Sequence, residues 1–60
     1  MKEKNFLDVH DVSDFLGVSI PKSYKIIQQL NKELKSKGYI TIAGKVSRVY
    51  FMQKTVGFAQ

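Results

Sequence analysis

Val18–Lys37 reads V-S-I-P-K-S-Y-K-I-I-Q-Q-L-N-K-E-L-K-S-K, and this stretch decides how the chain folds. Ser19 suits a helix cap. Pro21 suits a first turn, where its missing N–H has no partner to lose. Ile26, Ile27, Leu30 and Leu34 then recur at helical spacing, which strict alternation does not produce. Gly38 can take positive φ and end the helix. At about 100° per residue, Ser23, Ile26, Ile27, Leu30 and Leu34 share one face. Lys25, Gln28, Gln29, Lys32 and Lys35 share the other, with Lys22 at its edge. One side is greasy; the other is cationic and rich in amides.

Upstream, Val9, Val12, Phe15 and Leu16 make one apolar stripe of a shorter helix. Asp8 can cap it. Asp11 falls in its first turn, where the helix dipole favours negative charge. Leu16-Gly17-Val18-Ser19 is the turn between the helices, and Val18 plugs the corner. Two helices joined this tightly, the second one basic, match a helix-turn-helix. Val12 and Leu16 would face Ser23, Ile26 and Ile27, with small Ser13 and Ser23 where the helices cross closely. Phe6 and Leu7 read as a short strand or a hydrophobic staple. Asp8, Asp11 and Asp14 repeat every third residue, but the helix start and solvent account for them without a metal. His10, the lone histidine, falls on the exposed side with no nucleophile or second histidine beside it, so no catalysis is expected of it.

After Gly38 the period becomes two. Tyr39–Ile42 and Val46–Phe51 read as strands around an Ala43-Gly44-Lys45 hairpin loop, with Ile40 and Ile42 turned into the core. Lys45 sits at or next to the tip and Arg48 three residues on. A basic hairpin beside such a helix pair is a wing, able to touch phosphates or the minor groove. Phe51, Met52, Val56 and Phe58 read as either a short helix or an extended tail over the open side of the core, and Gly57 stops any helix there. The expected fold is α+β, a small winged helix-turn-helix of two helices and a C-terminal β-hairpin wing, with a short terminal helix as the open alternative. Residues 1–60 are expected to form a single domain with its core over 6–51.

The chain has 60 residues, no cysteine and a net charge of +5. The charge is uneven. Acidic side chains dominate the first fourteen residues, whereas beyond them eight basic residues face Glu33 alone. A basic surface over most of a tiny domain points to a polyanion, with lysine for phosphates and glutamine for the major-groove edge of adenine. The competing reading of the lysine face is simple solvation. No apolar run spans a membrane, and Asp8 ends the apolar part of the N-terminus too early for a signal peptide. A cytoplasmic protein is therefore expected. A nucleophile–base pair, a glycine-rich phosphate loop and a metal cluster are all missing from the sequence. The expectation is a non-enzyme with no cofactor, no metal and no small-molecule substrate.

D-V-x-D-F-L-G-V-S-x-x-x-S-Y-K-I-I-x-x-L-N-x-E-L-x-x-K-G-Y-I, followed by G-K-V-S-R-V-Y-F, resembles the excisionase-like and related MerR-like winged helix-turn-helix proteins of phages and integrative mobile elements. The likeness runs from about Phe6 to Phe51. It implies a second helix in the major groove and a wing on the adjacent backbone or minor groove. By position, Ser19, Lys22, Tyr24, Lys25 and Gln28 would face the groove, and Lys45 and Arg48 would form the wing set. Gln29 and Lys32 complete the candidate DNA-binding residues from the cationic helix face. The sequence departs from that group at Ile20, Pro21, Ser47 and Val49. The function implied is an excisionase-like recombination directionality factor or a small transcriptional regulator of a mobile element. It would bind double-stranded DNA alongside an integrase or neighbouring copies of itself. The alternative is an adapter that uses the same fold to bind a replication, recombination or host protein.

Overall fold

A computed structural model of the chain describes residues 5–57, with side chains through Thr55. Phe58, assigned to the tail by its sequence, lies outside the described residues. The elements run β1 (Phe6–Asp8), α1 (Val9–Leu16), α2 (Ile20–Ser36), β2 (Lys45–Ser47) and α3 (Arg48–Met52), followed by a π-helical turn, Gln53–Gly57.

The capping residues act as the sequence suggests. The Asp8 carboxylate accepts from the Asp11 N–H at 3.0 Å, and the Asp11 carboxylate accepts from the Asp8 N–H at 3.0 Å. Two orphan donors of the helix start are thereby satisfied reciprocally. α1 ends at Gly17, whose φ of 69° belongs to the left-handed region. The N–H groups of Gly17 and Val18 both donate to the Ser13 carbonyl, and the Ser13 hydroxyl donates to the Val18 carbonyl at 2.6 Å. The turn is thus tied at both ends.

α2 starts on Ser19, whose hydroxyl accepts the Lys22 N–H at 3.3 Å, with Pro21 in the first turn. It ends as a paired-hydrogen-bond cap. Gly38 donates to Lys35 and Tyr39 donates to Leu34, both at 3.0 Å. That geometry needs the φ of 92° found at Gly38, which a side chain would strain. Ser23 is fully buried and donates its hydroxyl to the Ser19 carbonyl at 2.9 Å, so the polar atom costs nothing at the helix crossing.

The fold class expected from the sequence stands: helices plus a two-stranded antiparallel sheet. The strands differ from those expected. β2 pairs with the N-terminal β1, Leu7 opposite Val46, and the stretch 39–41 is not a strand. All that remains of the expected hairpin is one bridge, Ile42 to Lys45, around a turn with Gly44 at φ 78°. Arg48–Phe51 is helical, begun by Ser47, whose hydroxyl accepts the Tyr50 N–H at 3.4 Å.

The physical reason lies in spacing. Val46 and Phe51 are both fully buried, yet residues five apart on a strand point to opposite faces. Breaking the strand into a helix at Ser47 lets both enter one core. Ile40 is 90% exposed and Ile42 42% exposed, so neither fills the core as expected. Leu7 does so instead, with Val9, Val12, Ile27, Leu30, Val46 and Phe51. Phe15 closes over Phe51 edge-on, with ring centroids 5.4 Å apart.

Candidate nucleic-acid interface

α2 buries Ser23, Ile27, Leu30 and Leu34. Helical spacing therefore turns Lys22, Tyr24, Lys25, Gln28, Gln29 and Lys32 outward, and all are exposed. Ser19, at the start of this helix, is exposed, but its hydroxyl is engaged as the cap. Among the described residues Lys22, Lys25, Lys32 and Lys45 have no ion-pair partner.

The turn between α2 and β2 lies against one flank of this face. Lys45 donates its N–H to the Ile42 carbonyl at 3.1 Å. The Asn31 side-chain amide donates to the Ile42 carbonyl at 3.1 Å and to the Lys45 carbonyl at 2.7 Å. One amide from α2 thus holds both ends of the turn. Between helix and turn runs an open groove of about 570 Å³, with Tyr24, Gln28 and Asn31 on one wall and Thr41, Ala43 and Gly44 on the other. Lys45 is exposed beside it.

Arg48 is placed differently from the sequence reading. It is half-buried at the first position of α3, and its N–H donates to the Asn5 carbonyl at 3.0 Å. It belongs to a helix start rather than to a hairpin arm, because the strand ends at Ser47.

The opposite flank of α2 carries Glu33, the acid that interrupts the basic part of the sequence. Its carboxylate accepts from the Tyr50 hydroxyl at 2.6 Å and from the Gln29 side chain at 3.2 Å, and it pairs with Lys54 at 3.3 Å. The hydrogen bond from Tyr50, then that from Gln29, with Lys54 beyond them, hold the Glu33 carboxyl down at about 2. The same bond to Glu33 pushes the Tyr50 hydroxyl up from its ordinary value. Lys37 and Lys54 also lie by the Tyr50 ring, 5.2 and 5.7 Å from its centroid. Gln29 therefore points its amide along this flank, toward Glu33.

A second concavity, about 440 Å³, opens at the C-terminal end of α2 between Phe6, Leu34, Tyr39, Ile40, Val49 and Tyr50. Tyr39, Ile40 and Val49 are exposed there. The sequence reading did not find Asn31 as a structural contact or Glu33 as the centre of a network. Asn31 carried one signal: it stands seven residues after Tyr24, on the same side of the helix. Among the described residues no three His, Cys, Asp or Glu side chains gather to hold a metal, and no helix is long and apolar enough to cross a membrane.

A short capped helix, a glycine turn, a longer basic helix and a small sheet beside them define a helix-turn-helix protein of the α+β class. The chain is 50% identical over 46 residues to the ICEBs1 excisionase of Bacillus subtilis (strain 168), a match covering 77% of this chain and 72% of that protein. It belongs to the excisionase family. No family model matches the chain, and no solved structure matches it.

Proposed function

We propose that this chain is a DNA-binding recombination directionality factor that lays α2 in the major groove and the 42–45 turn on the adjacent backbone. Likeness to an excisionase supports the recombination role. The observation that carries the binding mode is the outer face of α2, where exposed lysines and Gln28 stand without a carboxylate among them while Glu33 is bonded away on one flank. Lys22, Lys25, Lys32 and Lys45 would neutralise phosphates, and Gln28 would meet a base edge. Tyr24 would bond a phosphate through its hydroxyl. The protein would do no chemistry itself. It would shape the DNA on which an integrase acts, and neighbouring copies would add the interface that one small domain lacks.

Titration of the protein against double-stranded DNA across a salt series tests this. Log affinity should fall with log salt by about 0.9 per phosphate contact, for several contacts. Gln28→Ala should cost about 1–3 kcal/mol of discrimination at one base position and leave affinity for unrelated DNA intact. Undetectable binding at low salt would refute the proposal.

The apolar concavity between Tyr39, Ile40 and Val49 favours a second reading, contact with another protein of the recombination or replication machinery. This surface lies at the far end of α2 from the Ser19 cap, so both contacts fit on one molecule.

A further inference from the structure

We infer that Asn31 is a positioning residue for DNA binding: it locks the 42–45 turn to α2, so that Lys45 and the helix lysines meet one duplex as a rigid unit. The inference rests on the DNA-binding reading above. Asn31 is not itself assigned a DNA contact.

The sheet holds one end of the turn, since Lys45 pairs with Asp8 of β1 beside fully buried Val46, but that anchor ties it to β1 and not to α2. The stretch 39–41 pairs with no strand, and Ile40 and Ile42 are exposed rather than anchored in the core. β2, into which the turn leads, is a strand of 3 residues. Lys45 turns its N–H to Ile42 and its carbonyl to Asn31. Without the Asn31 contact the turn would be tied to the sheet alone, and Lys45 would sample more positions relative to the lysines of α2. Each position off the duplex would cost affinity through lost ordering.

Asn31 has the chemistry this role needs. An amide nitrogen carries two donors in a fixed plane, and here it meets two carbonyls at 3.1 and 2.7 Å. These contacts fix which way the amide points, since its oxygen could not take the place of the nitrogen against two acceptors. Aspartate would present only acceptors to the same carbonyls, and leucine none. Asn31 sits on α2 between Gln28 and Lys32, so the turn is referenced to the helix that carries the proposed base and phosphate contacts. The groove walled by Tyr24 and Gln28 on one side and Thr41 and Gly44 on the other also takes Asn31 into its lining.

A double-mutant cycle on the full chain tests the role, read as affinity for a random-sequence duplex at fixed low salt. Lys45→Ala should weaken binding in the native background and weaken it at least about threefold less in the Asn31→Ala background. Lys25→Ala should weaken binding equally in both, because Lys25 is carried by the helix itself. An equal effect of Lys45→Ala in both backgrounds would overturn the positioning role while leaving the DNA reading intact. If neither lysine matters in the native background, the DNA reading falls, and the positioning role with it. Should Asn31→Ala fail to fold, hydrogen exchange of the native protein decides: the Asn31 side-chain amide protons should exchange more slowly than those of exposed Gln28. Equal exchange would overturn the proposal.

Discussion

The two flanks of α2 use the same residue types in opposite ways. On the flank toward the 42–45 turn, an uncharged amide from Asn31 fixes backbone carbonyls, and Lys45 keeps its ammonium in solvent. On the flank toward α3, Glu33 and Tyr50 gather Lys54 and Lys37 into an ion pair and ring contacts. A net charge of +5 therefore does not identify the lysines available to a polyanion. The position of one glutamate does. The molecule spends the basic side chains near α3 on holding its own parts together and leaves those of the outer helix face to the solvent.

This contrast depends first on α3 being docked. Phe51 is fully buried and anchors it, so Phe51→Ala should cost about 3–5 kcal/mol, enough to abolish the cooperative thermal transition of so small a domain. A melt that retains its cooperativity would show α3 to be dispensable. Next in size is the end of α2. Gly38→Ala places a side chain at a φ of 92° and should cost about 1–2 kcal/mol by denaturant titration, although there is room for its methyl group.

Acid sharpens the comparison further. The Glu33 pKa is depressed from 4.5 to about 2. Its contribution to stability is therefore present above the unfolded value and is lost as pH falls through the folded one. Wild type should lose thermal stability relative to Glu33→Gln between pH 4.5 and about 2, and the gap between the two proteins should be constant above that window. Parallel pH curves would remove Glu33 from its proposed place. The smallest effect is expected at the apolar concavity. Ile40→Ser should change stability by less than about 0.5 kcal/mol and leave DNA affinity unaltered, since Ile40 is 90% exposed. A clear loss of either would show that this surface is not separate from the rest.

Local signals in the sequence settled α1 and α2, because caps and periodicity act within a few residues. Asp8 with Asp11, Ser19 with Pro21, and Gly38 each stand where the chain needs them. The sheet was not legible, because pairing is a long-range choice. Tyr39–Ile42 has the composition of a strand, yet β1 takes the place beside β2. Nothing local distinguishes those partners. The composition of Val46–Phe51 read as a strand throughout, and the structure makes it helical from Arg48. Ser47 is the residue that marks the change, as a helix cap inside what looks like a strand. The outer face of α2 was readable from helical spacing alone. The hold of Asn31 on the turn and the capture of Gln29 by Glu33 were not, since each depends on where a distant element packs.

The most direct test compares two pairs of lysines carrying equal charge. Lys25 stands on the outer face of α2 and Lys45 at the turn, both exposed; Lys37 and Lys54 lie by the Tyr50 ring of α3. Each pair is changed to alanine, and the slope of log DNA affinity against log salt is measured for both proteins. Loss of Lys25 and Lys45 should flatten the slope by about 1.8, as expected for two phosphate contacts, while loss of Lys37 and Lys54 should leave it unchanged. An equal flattening by both pairs would contradict the account, because binding would then follow total charge and not the face that α2 presents.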